Sequence, residues 1–275
     1  MAGKLHRFPA SGRLLVGTDL QGNLGDFLAL TERFEARRAA GEDVQLLLTG
    51  DMVHGPEIPK ESWPPHLGTF YEDRSSELFE EFVALGERHP GRIHSLLGNH
   101  EHAHVGGPPT AKFWDDEAAH LEERAGPARA ARMREFFSAL PLVAVAPCGV
   151  VFTHGAPAAT LQSPDEVEAV EYGGHEDKYF EEILAVPVLG TLLWARWAEP
   201  DSARAFASAL GASICLFGHD VVPEGFERVG DEQLIFSTSY GLDDAAKVYV
   251  ELDLAATYRT VHELRIGHEI LPLHR

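Results

Sequence analysis

Cysteine is nearly absent from this chain. Only Cys148 and Cys215 occur, both in or beside apolar strand-like stretches, which excludes a disulfide-stapled scaffold and predicts two buried thiols in a reducing compartment. No apolar run is long enough to span a bilayer, and the opening MAGKLHRFPASGR has no apolar signal-peptide core, so the expected setting is cytoplasmic, without a membrane. Basic residues are scarce as well. Lys+Arg 23 against Asp+Glu 43 gives a net charge of −20, which repels polyanions, and nucleic acid is not expected as a partner. Internal repeats, low-complexity tracts and linkers are missing too, which leaves residues 1–275 as one domain, long enough to bury a large core.

What is present is a recurrence. LLVGTD (14–19), LLLTGD (46–51), LLGNHE (96–101), VVFTHG (150–155) and CLFGHD (215–220) each pair a short apolar run with a polar end that can bind a metal or a phosphate. Buried strands of parallel sheets have this look, and open α/β sheets carry their chemistry just beyond the carboxyl ends of the strands. The pattern thus aims Asp19, Asp51, Asn99, His154 and His219 at one place. Taken singly, each reads as well as a turn former, a helix cap or a hydrogen-bonded histidine. Their shared context is the signal.

Between these runs, Asn23 is placed to cap a helix from Leu24 to Ala39 with Gly41 closing it, the first βα unit. The proline-rich stretch from His54 to Thr69 reads as an irregular loop over the site, followed by a helix near Ser76 to Arg88. Residues 112–139 read as a surface helical pair. Beyond His219, alternation at Val248, Val250, Leu252 and Leu254, and a similar run from Tyr258 to Leu264, predict antiparallel strands of a second sheet.

Two carboxylates, an amide oxygen and two imidazoles suit a pair of divalent cations, with Asp51 able to bridge, and two-metal sites hydrolyse phosphoesters. The ordered set GTDLQG, GDMVHG, GNHE, THGAP and GHDVVPEGF resembles the calcineurin-type metallophosphoesterases, and within them the phosphoprotein phosphatase family of Ser/Thr phosphatases. FFSALPLVAV, LLWARWAEPD and QLIFSTSYG extend the resemblance from about Arg13 to Leu254. It implies an α/β fold of two mixed sheets packed as a sandwich with flanking helices, and a dinuclear metal site at the strand ends. It also implies that Asp19 and Asp51 hold one ion while Asp51, Asn99, His154 and His219 hold the other. Manganese comes first for such oxygen and imidazole donors, with iron, zinc or magnesium as alternatives. A hydroxide activated between the ions would attack phosphorus, and His100 would protonate the leaving oxygen as general acid. His102 and His104 are expected to face solvent.

Three departures from the family pattern matter. Gln21 replaces the usual metal-binding His, and either coordinates weakly through its amide oxygen or only packs in the turn. GDMVHG is one residue short, so His54 replaces either the Asp that orients the catalytic His or the Arg that clamps phosphate. Arg196 is then the candidate phosphate clamp, or a surface arginine between tryptophans, and Tyr240 lies near the site or in the core. Ala156 takes the place of a glycine. The expected substrates are a phosphorylated protein at Ser or Thr or, on the same site, a small phosphoester such as a dinucleoside polyphosphate. A catalytically silent scaffold is the third reading.

Overall fold

A computed structural model describes residues 3–274 as two mixed β-sheets packed face to face, with helices on their outer faces. In spatial order the first sheet is β1 (Leu5–Arg7), β5 (Val143–Ala146), β6 (Val150–Phe152), β7 (Ile214–Phe217), β9 (Gln233–Phe236) and β8 (Phe226–Val229). The second is β11 (Ile270–Pro272), β10 (Val248–Asp253), β2 (Arg13–Gly17), β3 (Val44–Leu48) and β4 (Ile93–Ser95). The strands that lead into the five polar ends divide between the sheets: β2, β3 and β4 run parallel in one, β6 and β7 parallel in the other. Apolar residues on both strand faces explain the stacking. Leu14, Val16, Leu47, Phe152, Leu216 and Val250 pack together between the sheets, whereas Leu15, Leu46, Leu48, Val151 and Cys215 face the helix side.

Helix α1 (Leu24–Ala39) packs Phe27, Leu30 and Phe34 on the second sheet, and the Asn23 side chain caps it by accepting from the Asp26 amide at 3.1 Å. α2 (Ser75–Arg88) follows the loop read from its prolines. α3 (Asn99–His102) is a single turn after β4, and α4 (Glu117–Ala125) with α5 (Pro127–Ser138) forms the expected helical pair. One expectation fails. Tyr258–Leu264 holds a 3-10 turn at Val261–Glu263 instead of a strand, because its buried residues, Tyr258, Val261 and Leu264, recur every third position and not every second. The edge strand is β11, further on, paired antiparallel with β10. Cys148 and Cys215 are free and buried, and among the described residues no helix is long and apolar enough to cross a membrane.

Candidate active site

The loops leaving β2, β3, β4, β6 and β7 meet at one edge of the sandwich. Their contact is so close that glycine is required at two points. A Cβ on Gly98 would collide with the Asp51 backbone and carboxylate, and one on Gly218 with Thr18 and the Asp19 carboxylate. Six non-glycine residues among those described have positive φ, and five of them are Asp19, Gln21, Asp51, His54 and His219. Each such backbone costs on the order of 1 kcal/mol, so local strain is concentrated where the polar ends converge.

Around His154 Nε2 lie Asn99 Oδ1 at 2.9 Å, His219 Nδ1 at 3.0 Å and Asp51 Oδ1 at 3.4 Å. The other nitrogen of His154 donates to the Thr49 carbonyl at 3.0 Å, so its Nε2 is bare toward Asn99, His219 and Asp51. Burial holds both imidazoles below their ordinary pKa, the ring of the other adding to the effect at His219, so both are neutral donors. Burial, then the Asp19 charge, pushes the Asp51 carboxyl well above the usual carboxylate range. A bare imidazole nitrogen grouped with a second imidazole, an amide oxygen and a buried carboxylate is what a divalent cation would satisfy, and the donor set fits one.

The sequence pattern of the calcineurin-like phosphoesterases matches residues 12–223. The chain belongs to that family. It is a metallophosphoesterase, a hydrolase of phosphoric esters, in a family that uses pairs of divalent metals. Its fold is similar to that of a protein serine/threonine phosphatase from Saccharomyces cerevisiae (TM-score 0.60, 16% identity, covering 92% of this chain and 77% of that one). It is equally similar to a cold-active protein-tyrosine phosphatase of a psychrophilic Shewanella (TM-score 0.61, 12% identity, covering 93% and 78%). At such identities the likeness establishes the fold, as the resemblance implied.

Asp19 of this phosphoesterase adjoins the same donors: its carboxylate accepts from the His219 amide at 3.0 Å and from the Thr18 hydroxyl. Gln21 lines the cleft, where its Oε1 accepts from Lys112 Nζ at 3.2 Å. Beneath them Glu101 accepts backbone N–H groups of Asp51, Met52 and Gly98 at 2.8, 2.8 and 3.0 Å, tying the β3 and β4 loops together. Its burial, with Asp51 nearby, pushes its carboxyl up to about 7.

His100 sits beside this set, with Nε2 3.7 Å from Asp51 Oδ2 and the backbone N–H donating to Asp51 Oδ1 at 3.1 Å. Its Nδ1 faces His54 Nδ1 at 2.9 Å, His54 Nε2 faces His104 Nε2 at 2.9 Å, and His104 Nδ1 donates to Glu122 Oε1 at 2.9 Å. His54 is therefore turned away from the cleft. Its ring lies against His100, and His54 is not among the residues that line the cleft. His102 and His104 are buried, contrary to expectation. His102 bonds the Tyr172 carbonyl at 2.8 Å, and His104 gains its carboxylate from α4, a partner far along the chain.

The cleft is about 220 Å³, lined by Gln21, Asp51, Asn99, His100, Lys112 and Arg196 among others, and adjoins a second of about 190 Å³ that shares Gln21, Lys112, Arg196 and His219 and includes Tyr240. Arg196 stands exposed at its mouth, bound to Asp220 at 2.6 Å. Lys112 was not singled out in the sequence. Its ammonium lies 4.0 Å from the Tyr240 ring centroid, and no carboxylate comes within salt-bridge distance of it among the described residues. A basic residue just after a histidine-rich turn in so acidic a chain was the only signal available.

Proposed function

We propose that this phosphoesterase is a phosphomonoesterase of Ser/Thr protein phosphatase type that needs divalent metal, manganese first among the candidates. The observation that carries the reading is the convergence of Asp51, Asn99, His154 and His219, their imidazoles held neutral by burial, at the floor of a cleft walled by cations. Those four residues would hold one ion, and Asp19, Gln21 and Asp51 a second. When bound, the ions would supply Lewis acidity toward a phosphoryl oxygen and toward water.

The remaining work falls to the chain. Lys112 and Arg196 would hold the phosphate oxygens in place of the family's missing arginine, Lys112 as a point charge without a competing carboxylate and Arg196 after loosening Asp220. His100 would give a proton to the leaving oxygen from Nε2, the nitrogen that faces the Asp51 side of the cleft. Tyr240 would fix the Lys112 stem by its ring face. A substrate with a second anionic group, such as a dinucleoside polyphosphate, is the alternative favoured by the adjoining cavity, since Lys112 and Arg196 line both. We read the chain as one domain in the cytoplasm, acting on phosphorylated protein and not on nucleic acid, whose charge the net −20 repels.

The test is a metal-reconstituted assay across phosphopeptides, dinucleoside polyphosphates and aryl phosphates. Hydrolysis of phosphoserine or phosphothreonine peptides that stops on chelation is the expected result. Undiminished turnover after exhaustive chelation would reject the metal-dependent reading, and preference for the dinucleotides would move the substrate to the alternative. His100→Asn should slow alkyl phosphates by roughly 10² and aryl phosphates less, as for loss of a general acid. Equal losses on both would give His100 another role.

A further inference from the structure

The imidazole chain behind His100 ends beside a buried carboxylate oxygen that no hydrogen bond satisfies. Glu122 accepts the proton on His104 Nδ1, so His104 Nε2 is bare and takes the proton of His54 Nε2. His54 Nδ1 then carries no proton, and it faces His100 Nδ1 at 2.9 Å and the Thr110 hydroxyl at 3.2 Å. Glu117 Oε2 lies 3.7 Å from His100 Nδ1, on a side chain only 2% exposed, and has no hydrogen-bond partner at all. Its other oxygen accepts from the Phe113 amide at 3.2 Å, which fixes the carboxylate in this direction.

From this geometry we infer a further divalent-metal site, held by His54 Nδ1, His100 Nδ1 and Glu117 Oε2, separate from the donors around His154. One ligand atom from each of the three residues lies within 4.8 Å of the others, and all three residues are buried. Their separations of 2.9 and 3.7 Å fall beside the 2.9 to 3.4 Å found around His154 Nε2. Two imidazole nitrogens and one carboxylate oxygen are a zinc donor set, and a fourth position is open toward Thr110, whose hydroxyl is 3.2 Å from His54 Nδ1. Behind His54, the hydrogen-bonded His104 and Glu122 supply the outer support that orients ligating histidines. An ion has a way in, because His100 and Thr110 both line the cleft.

The inference rests on the function proposed for His100 and deepens it. Without a cation, His100 would donate its Nδ1 proton to the bare nitrogen of His54, leaving Nε2 bare toward the cleft and Glu117 Oε2 unpaired. A cation on Nδ1 satisfies all three atoms and puts the ring's proton on Nε2, the side where a leaving oxygen would lie.

Bound zinc is counted per chain by elemental analysis after reconstitution and desalting, on wild type, Glu117→Gln and His154→Ala, with folding checked by circular dichroism. Glu117→Gln should hold about one equivalent less than wild type, as expected when a coordinating carboxylate is lost, and retain the rest. An unchanged count in folded Glu117→Gln overturns this site, and it does so without touching the metal centre if His154→Ala loses zinc in the same experiment. A wild type that binds no zinc would sink this site, and the absence of manganese as well would sink the metal-dependent reading. Should Glu117→Gln not fold, His54→Gly, which suits the positive φ of that residue, decides by the same count.

Discussion

Replacing Glu101 by glutamine tests whether the site is held from below. The carboxylate accepts three backbone N–H groups, two on Oε2 and one on Oε1. An amide has one acceptor oxygen. In its best orientation that oxygen keeps Asp51 and Gly98, and the NH2 group meets the Met52 N–H head on. The loss is one hydrogen bond to a charged acceptor plus an unpaired buried donor, together about 3–4 kcal/mol. At about 2–4 °C per kcal/mol for a chain of this size, the midpoint of thermal unfolding should fall by roughly 10 °C. An opposing effect lowers the figure without metal: the neutral amide escapes the Asp51 charge that, with burial, lifts the carboxyl to about 7. The drop should therefore be larger with manganese bound than without. Because Asp51 and the Gly98 turn would shift, manganese affinity should weaken roughly 10–100-fold, the usual effect of losing a group that supports ligands. Thermal unfolding with and without manganese, and calorimetry of its binding, read both quantities. A midpoint within about 2 °C of wild type and unchanged affinity would show that the loops hold their shape without Glu101.

Lys112→Ala should lower kcat/KM for a phosphomonoester at least about tenfold, the worth of one charge-assisted hydrogen bond, and Arg196→Ala less, since Asp220 already holds that guanidinium. Equal kinetics for Lys112→Ala and wild type would remove Lys112 from phosphate binding. Gln21→His should tighten manganese if the side chain coordinates, because imidazole binds first-row ions more strongly; unchanged or weaker affinity by calorimetry rejects direct coordination. His94 has its folded pKa lowered to about 4, chiefly by burial. Its contribution is complete above the unfolded value of 6.5 and is lost as pH falls from there through about 4, some 3 kcal/mol in all, so His94→Gln should flatten denaturant stability over that interval. An acid limb as steep as in wild type would place the proton uptake elsewhere.

Much of this was legible in the sequence, for a physical reason. A parallel strand buried on both faces is written as a short apolar run, and its chemistry follows at its end, so β2, β3, β6 and β7 and the residues beyond them stand out locally. Helix α1 was equally plain, with Asn23, Gly41 and the spacing of its phenylalanines agreeing. What escaped depended on partners distant in the chain. His104 is buried because Glu122 comes to it from α4, and nothing near His104 announces that. Lys112 becomes part of the cleft only when its loop folds beside Gln21 and Tyr240. The run after Tyr258 failed differently, since over seven residues a three-residue and a two-residue rhythm are hard to tell apart.

The cluster of left-handed backbones at Asp19, Gln21, Asp51, His54 and His219 has a consequence for engineering. Glycine at any of them would relax the main chain, and at Asp19 or Asp51 it would also remove mutual repulsion. Against that gain, glycine at Asp19 or Asp51 leaves the His219 and His100 amides without their carboxylate acceptors, and on the proposed function it also removes a metal ligand. On the function proposed above, five awkward side chains stand there for the sake of turnover, where a more relaxed backbone would carry none.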